Sequence, residues 1–220
     1  MMDGYDGPRL HETIPHFHDT PRRLAALRTA AQEDHAGRAA AAEDEIAQLL
    51  AQTPVAGTLQ SLRAQGLIPE RIAHNDAKIG NVLFDADADE ALCVVDLDTV
   101  MPGYALHDFG DMIRSTAATG AEDEPDPARV GVSLPLFTAI AQGFLEEAGG
   151  LLVDAERAHL VDAAQLVTLE QAARFLTDHL SGDRYYKVSH PGHNLERARA
   201  QLALFRSLVE EDDALRAVAR

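Results

Sequence analysis

A mainly α chain with a small β-hairpin element is the fold class that the sequence predicts, on three observations. Capped, helix-periodic stretches occupy most of the 220 residues. Runs rich in β-branched or aromatic residues are short and confined to positions 71–98. No strand–helix–strand alternation, GxGxxG or Walker loop occurs.

The elements follow in order. "DTPRRLAALRTAAQ" opens a helix, with Asp19 or Thr20 as cap and Pro21 in the first turn. "AEDEIAQLLAQ" and "VAGTLQSLRAQG" read as two more, the latter ending at Gly66. "RIA" (71–73), "VLFD" (82–85) and "ALCVVDLD" (91–98) read as strands, and "DADADE" (85–90) turns the last two into a hairpin. "GAEDEPDPAR" (120–129) is an exposed loop, its acids a solvated run. "SLPLFTAIAQGFLEEAGG" runs from cap Ser133 to Gly149. "DAERAHLVDAAQLVTLEQAARFLTDHL" is a long helix broken once, its apolar stripe core, and "NLERARAQLALFRSLVEED" is the last.

Charge and composition narrow the function. With 19 basic and 36 acidic residues the formal charge is −17, so a nucleic acid would be repelled by most of the surface. A small anion such as ATP is still admissible, because a metal ion and a few placed cations reverse the field locally. No apolar run reaches about 18 residues, so no membrane span is expected. The amino-terminal residues lack the order of a secretory signal. The single cysteine, Cys93, excludes an internal disulfide and points to a reducing, cytoplasmic setting.

"HNDAKIGN" (74–81) lies between two apolar runs and carries the chemistry. Phosphoryl transfer to a hydroxyl needs a carboxylate for the hydroxyl proton and ligands for Mg²⁺. H-x-D followed five residues later by Asn provides both in kinase-like catalytic loops: here His74, Asp76 and Asn81. Asp76 is the expected base, Lys78 offsets charge on the moving phosphoryl group, and His74 supports the loop by hydrogen bonding. Four carboxylates compete for the second metal site: Asp96, Asp98, Asp108 and Asp111. One short hairpin after the loop delivers Asp96, which is taken as the ligand beside Asn81. Asp98 follows on the same side of an extended strand, as a substrate contact. Asp108, in the letters "DFG", falls at a helix start, where it caps N–H groups and orders the site from behind, with Asp111 beside it as support.

The strings "HNDAKIGNVLFD", "VVDLDTVMPGYALHDFGDMIR", "AEDEPD", "RFLTDHLSGDRYYK" and "GHNLERARAQ" resemble the carboxyl-terminal lobe of the aminoglycoside phosphotransferase-like kinases. More narrowly they resemble the N-acetylhexosamine 1-kinases, over nearly the whole chain. The resemblance implies a protein-kinase-like carboxyl-terminal lobe (α+β) over 20–220, a hinge-like leader over 1–19 and no amino-terminal lobe. It implies transfer of the ATP γ-phosphate to the anomeric hydroxyl of an N-acetylhexosamine, with ATP and Mg²⁺ as cofactors. By position it makes Asp76 the base, Asn81 and Asp96 the Mg²⁺ ligands, and Arg174 and Tyr185 sugar contacts. A chain without the nucleotide lobe is expected to be a poor kinase and to expose an apolar surface that promotes self-association.

Competing readings follow from the same residues. The acceptor is an aminoglycoside or a choline-like alcohol in sister families, and a non-catalytic sugar- or partner-binding module is the alternative from another class. "DADADE" imitates an EF-hand start but has Glu90 where the turn wants Gly, so it reads as a solvated turn. His16 and His18 share strand spacing without a third ligand nearby and read as structural or surface residues. One of Tyr185 and Tyr186 reads as a core or rim aromatic.

Overall fold

The computed structural model describes residues 5, 7–88 and 90–219. Parts of the 1–19 leader and of the "DADADE" turn therefore lie outside the described residues. Ten helices are seen among those described: α1 (Thr20–Glu33), α2 (Glu43–Ala51), α3 (Thr53–Ala56), α4 (Thr58–Ala64), α5 (Ala105–Thr116), α6 (Leu134–Ala148), α7 (Asp154–Ala158), α8 (Leu160–Leu180), α9 (His193–Glu210) and α10 (Asp212–Val218). The strands are β1 (Arg71–Ala73), β2 (Val82–Phe84), β3 (Ala91–Val94) and β4 (Met101–Gly103). The mainly helical, kinase-like lobe is present as expected.

Local chemistry explains the helix ends. The Asp19 carboxylate accepts the Arg22 N–H and Pro21 occupies the first turn of α1. Ser133 accepts the Leu136 N–H at the start of α6. The stretch expected as one helix up to Gly66 is divided at Gly57 into α3 and α4. A short helix, α10, follows α9 after a break at Glu211 and was not expected.

Two apolar clusters make the core. One gathers Phe109, Ile113 and Phe137 with Leu160 and Leu166 of α8 and Leu204 of α9. The other gathers Leu24 and Leu27 of α1 with Leu169, Phe175 and Leu176 of α8 and Phe205 of α9. α8 runs through both, and α5 crosses it closely. A Cβ on Gly110 would lie 2.5 Å from the Ala163 carbonyl oxygen, so only glycine permits that approach.

Among the described residues the four strands form two separate antiparallel pairs. β2 pairs with β3, Val82 opposite Val94, as the expected hairpin. β1 pairs instead with β4, Arg71 opposite Gly103. The strand expected over 91–98 stops at Val94, and Asp96 adopts a left-handed conformation (φ 60°) before a 3-10 turn over Leu97–Thr99. Strand alternation therefore does not relate Asp96 to Asp98. The hairpin exposes Leu83, Phe84, Leu92 and Val94 to solvent, with Cys93 among them. Among the described residues no helix is long and apolar enough to cross a membrane.

Candidate active site

The loop 74–81 emerges from β1 and is gripped from below. Asp108, buried in the first turn of α5, accepts the His74 N–H at 2.9 Å and the Asn75 N–H at 2.7 Å. The N–H groups that its carboxylate takes are the orphan amides of the loop. Burial pushes the Asp108 carboxyl up, and these two donors pull it back. Asn75 takes the left-handed conformation (φ 62°) that a short polar side chain tolerates. Its Nδ2 donates to the carbonyls of Ala73, Thr99 and Met101, tying the loop to β1 and β4.

Asp76, Lys78 and Asn81 come together. Lys78 Nζ donates to Asp76 Oδ2 at 2.7 Å, and Asn81 Nδ2 donates to the same oxygen at 3.0 Å and to the Asp76 carbonyl at 2.8 Å. Burial raises the Asp76 carboxyl, but Lys78 and then Asn81 outweigh it, so the group sits below the usual carboxylate range. The hairpin end is stitched to the same turn. The Val95 N–H donates to the Asn81 carbonyl at 2.9 Å, and His74 Nε2 meets the Val95 carbonyl at 3.2 Å. Asp96 thus follows directly on the residue bonded to Asn81, with its side chain exposed.

A cleft of about 450 Å³ opens over this loop. Asp76 and Lys78 line it from the loop, Asp111 and Arg114 from α5, Arg174 from α8 and Tyr185 from the segment after α8. Asn81, Asp96 and Asp98 are not part of that lining. Asp98 is exposed, and its carbonyl accepts the Thr13 hydroxyl. Arg174 lies over the rings of Phe17 (5.1 Å) and Tyr186 (5.7 Å), and its Nη1 donates to Gln171 Oε1 at 3.2 Å. Tyr185 is 70% exposed, whereas Tyr186 packs on Phe175 as the rim aromatic of the pair.

Three residues that shape the cleft, Arg114, Asp178 and Glu170, were not singled out in the sequence, and a fourth, His18, read there only as a structural or surface residue. Arg114, buried, donates to Asp111 at 2.8 Å and to Glu122 at 2.7 Å, so the acidic loop 120–129 is tied to the site. Asp178 near the end of α8 accepts the backbone N–H groups of Arg184, Tyr185 and Tyr186, which sets the tyrosine segment. His18 Nδ1 and Glu170 Oε1 meet at 2.9 Å in a buried contact. The available signal was a charged residue inside an apolar helix: Glu170 and Asp178 both interrupt the stripe of α8.

Residues 8–139 match the family model described as "Phosphotransferase enzyme family" (APH). That span includes the 74–81 loop, the hairpin and α5. The α8 wall, with Arg174 and Tyr185, lies beyond it. A loop carboxylate bonded to lysine and asparagine, held from beneath by a helix carboxylate, thus falls within a match covering more than half of the chain. The chain belongs to the APH phosphotransferase enzyme family.

Proposed function

We propose that the chain is the catalytic lobe, over 20–220 with 1–19 leading into it, of an ATP- and Mg²⁺-dependent kinase. Its acceptor is a sugar hydroxyl, best fitted by the anomeric hydroxyl of an N-acetylhexosamine. One observation carries the reading: both contacts to Asp76 from Lys78 and Asn81 fall on Oδ2, and Asp76 lines the cleft. Oδ1 is then the oxygen left to accept the acceptor's proton. A carboxylate held ionised in this way is a modest base, suited to a loose phosphoryl-transfer transition state in which the proton leaves late.

The donor set fits the metal. Asn81 Nδ2 is committed to Asp76, which turns Oδ1 into the free ligand atom, and Asp96 adds a carboxylate. Two hard oxygens are what Mg²⁺ takes when phosphates complete its shell, and the ion when bound neutralises charge on those phosphates. On the acceptor side, the Arg174 fork suits ring or acetamido oxygens, and Tyr185 offers a flat face with a polar tip.

The test is direct. Mixing the chain with Mg²⁺-ATP and N-acetylglucosamine or N-acetylgalactosamine should yield the sugar 1-phosphate by phosphorus NMR, at the low rate expected of this lobe by itself, and Asp76→Asn should cut it by about 10²–10⁴-fold. Transfer to an aminoglycoside or choline instead would move the acceptor to the sister classes. Sugar binding by calorimetry without transfer would favour a binding module, a reading that the exposed apolar hairpin also supports.

A further inference from the structure

His18 lies ahead of α1 in a segment whose sequence suggested only a structural or surface role. Its imidazole is buried, with 8% of the side chain exposed. Nδ1 lies 2.9 Å from Glu170 Oε1, and Nε2 lies 2.9 Å from the carbonyl oxygen of Asn75. The Asn75 carbonyl can only accept. Glu170 is an acceptor too: burial opposes its charge, yet His18 and the Thr20 hydroxyl, at 2.7 Å from Oε2, hold its carboxyl down to about 2. Two obligate acceptors require two donors, and imidazole has two only when protonated. A second imidazole, His107, stacks on the first at 4.3 Å, and among the described residues neither of its nitrogens has a partner. Like charges at that distance are excluded, so the pair divides into one cation and one neutral ring.

The peptide group that His18 grips is the one joining Asn75 to Asp76. Asp108 takes the N–H of Asn75, and the Asn75 side chain takes three carbonyls, so His18 supplies the remaining tie to a residue at φ 62°. We infer that His18, as an imidazolium paired with Glu170, is a positioning residue that fixes the peptide carrying Asp76. This rests on the reading of Asp76 as the base. The groups facing His18 are Glu170 from α8, His107 and Asp111 from α5, and the Asn75 carbonyl from the loop; Arg174 faces Glu170. Burial works against the His18 charge, but Glu170 and the Asn75 carbonyl outweigh it and raise the imidazole above its ordinary range.

Nitrogen-15 NMR of the full chain tests this. Both ring nitrogens of His18 should be protonated near neutral pH, and the Asp76 amide should titrate with the same inflection, since its N–H shares the peptide with the bonded carbonyl. Glu170→Gln should lower that inflection by about 1–3 pH units. A neutral His18 tautomer near neutral pH, or an Asp76 amide blind to the titration, overturns the inference. In turnover, His18→Gln should lower kcat on the order of a hundredfold with the KM for ATP unchanged. The wild-type kcat should fall at alkaline pH along the His18 inflection, and Glu170→Gln should move that limb toward lower pH. An unchanged kcat in His18→Gln overturns the inference; should that variant fail to fold, the Glu170→Gln titration decides it. Absence of turnover in the wild-type chain would count against the kinase reading alone, because the two NMR titrations need no turnover.

Discussion

Lys78 Nζ stands 2.7 Å from Asp76 Oδ2, and the two side chains share that oxygen with Asn81. Asp76→Asn should cut transfer by about 10²–10⁴-fold while circular dichroism stays native. Lys78→Met removes the main group holding the Asp76 carboxyl down, so burial then raises it. The acid limb of kcat/KM should therefore move to higher pH. A limb that stays in place would show that Lys78 does not set the charge of Asp76.

Asp108 holds two loop amides from a buried position. Asp108→Asn keeps one acceptor oxygen and turns an N–H donor toward the other amide. Leaving that amide unsatisfied should cost about 1–3 kcal/mol in urea unfolding. Activity should fall further than stability alone explains, since the loop loses its floor.

Gly110 sits where α5 meets α8. Gly110→Ala places a methyl against the Ala163 carbonyl oxygen at 2.5 Å and Val167 Cγ2 at 2.7 Å. Overpacking of this kind costs about 1–3 kcal/mol, readable as a lowered Tm.

His107 is pushed down to about 3 by burial and then by the His18 charge. The unfolded chain binds a proton there at ordinary histidine pH values and the native chain does not. Stability should thus rise with pH between about 3 and 6.5, by about 1.4 kcal/mol per pH unit where this proton alone titrates. His18 acts with the opposite sign: its raised group stabilises below the ordinary histidine range, and that contribution is lost as pH climbs through the folded-state value. Glu170, held down to about 2, loses its contribution only as pH falls below the ordinary carboxylate range. His107→Leu should therefore flatten the stability curve between the carboxylate and histidine ranges. A slope there equal to wild type would sink the assignment.

Arg174→Lys keeps the charge and loses the fork and the stacking on Phe17 and Tyr186. If the arginine grips the acceptor, kcat/KM for the sugar should drop by about 1.5–3 kcal/mol. The KM for ATP should not move.

Local signals were readable where local chemistry decides. Asp19 and Ser133 marked helix starts because the cap oxygen and the N–H it serves are three residues apart. The β2–β3 hairpin was readable because its turn residues are contiguous. β4 was not, because "MPG" has no strand propensity and pairs with β1 some thirty residues earlier,. Asp76, Lys78 and Asn81 share one turn, so their spacing disclosed their meeting. His18 and Glu170 are separated by 152 residues, and nothing short of the packing of the leader onto α8 brings them together. The letters "DFG" illustrate the difference. Asp108 serves the loop, Phe109 fills the core and Gly110 admits α8, three unrelated demands written side by side.

α8 contributes Leu160 and Leu166 to one apolar cluster and Leu169 to Leu180 to the other, and α9 feeds both from interleaved positions, Ala200 and Leu204 to the first and Leu202 and Phe205 to the second. Neither cluster can melt while keeping its neighbour whole, since a shared rod would have to fray at its middle, where it is most deeply enclosed. The lobe should accordingly come apart in one step, with hydrogen-exchange protection along α8 reaching the global unfolding free energy at both ends. Damage in the amino-terminal cluster would then be felt at full strength by the carboxylates around α5.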